Sequence, residues 1–141
     1  MEDLRYPIGK YEAQPFSDSQ RREWLLDIQA LPQLLEYAIT NLDEVQLETP
    51  YRDGGWTVKQ LVHHVADSHM NAYTRFKLGL TEDKPMVKAY DEKAWAEIAD
   101  TKNIPINISI TLLYALHSRW YEVLKNIAED EWNRIVIHSE H

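Results

Sequence analysis

The chain has 141 residues, 44% of them hydrophobic, which is enough for one domain with its own core. Fifteen basic against 23 acidic side chains give a formal charge of −8, which argues against nucleic acid and against an anionic membrane surface as partners. The absence of cysteine excludes disulfides, thiolate metal ligands and a cysteine nucleophile.

The N-terminal residues lack the basic and apolar regions of a secretory signal, and no apolar run approaches the ~20 residues of a membrane span, so a cytoplasmic protein is expected. Residues 1–16 carry two prolines and no period, and read as an extended arm. Ser17 and Gln20 form a capping-box pattern. Trp24, Ile28, Leu31, Leu35, Ala38 and Leu42 then recur at helical steps, with Pro32 marking a kink. Residues 43–56 read as a loop dominated by Pro50 and the turn Asp53-Gly-Gly-Trp56.

Thr57 and Gln60 form a second capping box. The helix it opens carries Val58, Leu61, Val65, Ala72 and Phe76 and is expected to reach about Leu80, where Thr81-Glu-Asp-Lys-Pro85 reads as its exit. A long connection follows, with one short helix beginning at Asp91 and a break at Pro105. Leu113, Leu116, Trp120, Leu124 and Ile127 mark a third long helix, and Arg134-Ile-Val-Ile-His138 reads as a short strand. Three long helices leave an apolar groove where a fourth would pack, so an all-α domain that is incomplete at its C-terminus is expected.

Of the six histidines, four deserve weighing as chemistry. At about 100° per residue, with Leu61 at zero, the apolar face of the second long helix centres near roughly +40°. His64 falls near roughly −60°, at the edge of that face, sharing its stripe with Ser68, Asn71 and Arg75. His63 points away from the core by this phase and reads as solvated or partner-facing, while His69 reads as a core histidine. Neighbouring residues on a helix diverge, so His63 and His64 cannot share one metal, and His64 is the better ligand. His117, on the stripe of the third helix, is either a buried hydrogen-bonded histidine or a second lining residue of the His64 crevice. His138 and His141 are three apart but read as a loop end. No Gly-x-Ser-x-Gly, P-loop or Gly-rich phosphate cradle occurs, and the scattered carboxylates read as a solubilising surface.

The block Thr49-Pro-Tyr-Arg-Asp-Gly-Gly-Trp-Thr-Val-Lys-Gln-Leu-Val-His-His-Val-Ala-Asp-Ser-His-Met-Asn71, continuing through Arg75-Phe-Lys77, resembles the YfiT group of the DinB superfamily. Tyr6-Pro-Ile-Gly9, Tyr90-Asp-Glu-Lys-Ala-Trp95 and Leu116-His-Ser-Arg-Trp120 are similar too, so the resemblance spans nearly the whole chain as a single domain over residues 1–141. It implies a four-helix bundle with a long crossover, here reduced to three long helices, a short helix and the strand. It also implies one divalent zinc or nickel ion held by three histidines. The matching ligand on the second long helix is His64, and the other two come from a His-x-x-x-His on a final helix that this chain is expected to lack. The implied activity is metal-dependent hydrolysis, or S-transfer to a low-molecular-weight thiol such as bacillithiol, in a homodimer acting on a small molecule. Asn71, Arg75 and His117 are the pocket candidates, the first two for orienting an anionic substrate. The competing reading is a non-catalytic helical module whose groove takes another chain.

Overall fold

The structure, a computed structural model, describes residues 17–131. The expected arm over 1–16 and strand over 134–138 lie outside these residues, as do His138 and His141. Among the described residues regular structure is helical apart from one antiparallel bridge between Pro50 and Thr57.

Helix α1 runs Asp18–Ile39, and Ser17 Oγ accepts the Gln20 amide at its start. The helix continues through Pro32, which is buried, so the proline does not end it. A proline has no N–H, so the Ile28 carbonyl one turn earlier loses its intrahelical donor. That carbonyl is used elsewhere, as described below.

Residues 43–56 are less irregular than expected. Asp43 and Gln46 close a reciprocal capping box around the one-turn helix α2, Glu44–Leu47, whose length is too short for periodicity to reveal. The following loop folds back on itself, with Tyr51 N donating to Trp56 O and Val58 N to Thr49 O. Gly54 has φ of 72°, and a Cβ on Gly55 would lie 2.7 Å from the Arg52 side chain, so both glycines are needed for this turn.

Helix α3 spans Val58–Thr81. Thr57 Oγ1 accepts from Gln60 N, and Gln60 Oε1 accepts from Thr57 N, both at 3.0 Å. Thr57→Ala is expected to cost about 1 kcal/mol, read as a lowered urea midpoint at unchanged slope. The long connection holds two short helices instead of one, α4 over Glu92–Ala96 and α5 over Ala99–Asn103. Helix α6 is Ile106–Lys125, and Arg21 of α1 caps its end by donating to the Ile127 carbonyl at 2.7 Å.

Helix α6 is the spine. Trp120, Leu124 and Ile127 pack with Leu25 and Ile28 of α1 and with Tyr73, Phe76 and Leu80 of α3. At the other end Ile110 packs with Ile39 and Val62. These pairings make α3 parallel to α6 and α1 antiparallel to both, which is why a crossover is needed between α3 and α6. Helices α1 and α3 each pack on α6 but not on one another. Between them lies an apolar groove of about 530 Å³ lined by Asp27, Leu31, Leu34, Leu35 and Val65.

Candidate metal centre

The burial of α3 corrects the helical-wheel reading. Its most buried positions are Val62, His63, Ala66 and Gly79, so the face against α6 is turned well past the centre expected from apolar residues alone. His63 is therefore not solvated. It is 3% exposed, with Nδ1 2.6 Å from Ser109 Oγ and Nε2 3.0 Å from the Ile104 carbonyl. A carbonyl only accepts, so Nε2 carries the proton and Nδ1 takes the Ser109 hydroxyl. His63 ties α3 to the end of the crossover. Burial holds its pKa below the ordinary histidine value, against a smaller upward pull from the Ile104 bond. The wheel missed this because it counted histidine as polar, whereas both ring nitrogens find partners inside.

His64 is half-buried. Its ring lies 4.7 Å from the Trp56 ring, centroid to centroid, so the Gly-Gly turn serves to seat an indole against it. Burial lowers its pKa, and Glu92 of α4 pulls weakly the other way. The imidazole is thus neutral at pH 7, as a metal ligand must be. His63, His69 and His117 all engage ring nitrogens in hydrogen bonds. His64 is the exception among the described histidines. The buried polar side-chain atoms without partners are Tyr73 Oη, Tyr90 Oη and Trp120 Nε1, so the unbonded His64 nitrogens are not sealed from solvent.

The crossover runs along the His64 stripe. Glu92 lies near His64, Tyr90 stands beside Ser68, and Arg75 donates to the Lys88 carbonyl at 3.4 Å. Arg75 is exposed, and Asn71 Nδ2 donates to the Asp67 carbonyl of its own helix at 2.8 Å. The structure therefore places Asn71 and Arg75 on the same flank as His64 but gives each a backbone partner. Sequence reasoning passed over Asp67 and Tyr90. Burial, and then the negative charge of Asp100, lifts the Asp67 carboxyl to about 6. Burial pushes the Tyr90 phenol up as well, while the nearby Ser68 hydroxyl works against it. Only the i+3 spacing of Asp67 from His64 hinted at either.

His117 is 2% exposed and belongs to a different group. Its Nδ1 lies 2.5 Å from the Ile28 carbonyl and its Nε2 2.7 Å from His69 Nδ1. Its other side borders a small cavity of about 180 Å³ with Gln29, Pro32, Tyr114, Ser118 and Tyr121. His117 is thus a buried, hydrogen-bonded histidine that reaches the His64 side of α3 only through His69.

Among the described residues no cluster of three or more histidine and carboxylate side chains is arranged to hold a metal ion. His64 fits one ligand position by its neutrality, accessibility and unengaged nitrogens, and the described residues do not complete a set of three around it. No helix of the described residues is long and apolar enough to cross a membrane.

Comparison with known proteins bears on the family and the fold. The DinB superfamily matches residues 18–141. Proteins from Bacillus cereus strain 03BB102 and Bacillus thuringiensis subsp. konkukian, both named "Putative metal-dependent hydrolase", are 47% identical over 141 residues, covering 99% of this chain and 81% of theirs. The structure of YfiT from Bacillus subtilis, a four-helix bundle of unusual topology, superposes with a TM-score of 0.87 at 46% identity, over 91% of this chain and 74% of that one. A solved relative at that identity carries the fold assignment, and the chain belongs to the DinB superfamily.

Proposed function

We propose that the protein is a metal-dependent hydrolase of the DinB/YfiT type in which His64 is a metal ligand. The observation that carries this reading is the contrast among four histidines on one small bundle. Three are committed to internal hydrogen bonds, and His64, whose pKa burial also lowers, alone has neither ring nitrogen engaged. The names of the Bacillus relatives support the same class.

A divalent ion, when bound, supplies a Lewis acid that sharpens water or a thiol as a nucleophile. Residues 17–131 do not complete the proposed three-histidine site. The chain's own contribution is to hold His64. The Thr57 cap fixes the start of α3, the Gly54-Gly55 turn seats Trp56 on the ring, and the crossover places Glu92 and Tyr90 along the flank of α3 that carries Asp67. Trp56 excludes water from one side of the imidazole, which strengthens any charge interaction made there. A small molecule is the proposed substrate. A low-molecular-weight thiol is a proposed nucleophile, because neutral imidazole ligands leave the ion its full charge to stabilise a thiolate.

The test is elemental analysis of the full-length protein purified without chelators, followed by re-loading with zinc or nickel. About one ion per chain is expected. A protein that neither retains nor takes up metal would refute the assignment. A second reading, a helical assembly module, draws on the groove between α1 and α3 and on Leu34 at its rim, which is 64% exposed. Light scattering on the metal-loaded protein separates the two, since the module reading requires self-association or a captured chain even without metal.

A further inference from the structure

The small cavity beyond His117 lies where α1 packs on α6, and every residue that lines it comes from those two helices. Tyr114, His117, Ser118 and Tyr121 follow at steps of three, one and three, so a single stripe of α6 supplies one wall. Gln29 and Pro32, three apart on α1, supply the other. Its volume of about 180 Å³ holds a group the size of a benzene ring. None of its residues lines the groove between α1 and α3.

The hydrogen bonds already made around the cavity decide what it can take. Ser118 Oγ donates to the Tyr114 carbonyl one turn back at 2.9 Å. Tyr114 Oη donates to the Glu36 carboxylate of α1 at 2.8 Å. Each hydroxyl has a single proton, so both oxygens are left with lone pairs only. The Glu36 bond pushes the Tyr114 pKa up, which keeps that phenol protonated and its donor committed. Both ring nitrogens of His117 are engaged, by the Ile28 carbonyl and by His69. Pro32 has no N–H to offer. The Gln29 amide and the Tyr121 hydroxyl can act either way. The fixed part of the lining is therefore a set of acceptors, and the two phenol rings add electron-rich surface of the kind that attracts cations. Among the described residues no basic side chain pairs with Glu36, so its charge is uncompensated. Lys125, 5.7 Å from the Tyr121 ring, is held by Glu122 at 2.9 Å and does not line the cavity.

We infer that this cavity is a binding site for a small organic cation, a guanidinium or a protonated primary amine, whose N–H groups donate to Ser118 Oγ and Tyr114 Oη while Glu36 balances its charge. The site is independent of the metal reading and stands whether or not His64 holds an ion. A planar or compact cation with several donors matches oxygens that only accept. The formal charge of −8 draws cations toward the surface. A carboxylate or phosphate would meet lone pairs backed by a carboxylate, and is repelled.

The test titrates methylguanidinium chloride into the full chain and follows amide and tyrosine-ring resonances by NMR. Saturable shifts centred on Tyr114, Ser118 and Tyr121 are expected, with a Kd in the millimolar range that suits so small a ligand. N-methylurea, an uncharged analogue of similar shape, is expected to bind about tenfold more weakly, and acetate to leave these resonances unmoved. Glu36 is exposed, and Glu36→Gln is expected to weaken methylguanidinium about threefold with an unchanged urea midpoint. Ser118→Met fills the cavity from an exposed position and is expected to abolish the shifts. The proposal is overturned if those resonances do not saturate, if N-methylurea binds as tightly, or if Glu36→Gln keeps full affinity. A Ser118→Met protein that is folded by circular dichroism and still binds overturns it as well.

Discussion

His64→Ala is expected to abolish stoichiometric metal uptake and leave the helical bundle folded. Loss of an outer-shell partner already costs roughly 10–100-fold in metal affinity, so removal of a ligand costs more. The fold is expected to change by less than about 1 kcal/mol, because the ring is half-buried, makes no hydrogen bond and touches chiefly Trp56. The informative control is its neighbour. His63→Ala leaves Ser109 Oγ and the Ile104 carbonyl without a partner in the interior and opens a cavity against α6. It is expected to cost about 2–4 kcal/mol, read by urea unfolding, while the metal stoichiometry of the remaining folded protein holds. If His64→Ala keeps its metal, or if folded His63→Ala loses it, the two roles are reversed and the assignment fails.

That contrast also shows what could be read from the residues. The three long helices were legible because their apolar residues recur at steps of three and four, and the Thr57 capping box marked the start of α3 to the residue. The choice of His64 over His63 needed only that neighbours on a helix diverge. The fate of His63 was not legible. Its phase looked polar only while histidine was counted as polar, and its partners, Ser109 and Ile104, are more than 40 residues away. Helices α2 and α5 are one turn each, too short to show a period. The sequence predicts a kink at Pro32, but the larger consequence of its missing N–H is a carbonyl without a helical donor, which matters only because α6 brings His117 opposite it. Asp67 and Tyr90 gained significance from the crossover that buries them, and no local pattern announces which flank a crossover will cover.

Acid is expected to weaken the fold through the His69–His117 pair. Burial first, and then the neighbouring His117 and His64, bring His69 from 6.5 to about 4. Burial also lowers His117, against its bond to Ile28. Both groups are neutral in the native protein at pH 7 and gain protons more readily once unfolded. Between the unfolded value near 6.5 and the native value the unfolded state binds more protons, so stability is complete above about pH 6.5 and falls as the pH drops. Asp67 acts in the opposite sense. Its native pKa of about 6 lies above the ordinary value of 3.8, so its protonation relieves a burial cost over the same range. The wild-type curve is therefore the difference of two opposed contributions, and a single variant separates them. His69→Gln removes one titration and keeps Asp67. Relative to wild type it is expected to gain about 2–3 kcal/mol between pH 7 and pH 4, with the shift discounted for the partial exposure of the ring. Urea midpoints for the two proteins across that range give the result directly. Parallel curves would mean that His69 titrates normally in the folded protein, and that burial beside His117 does not hold its neutral form.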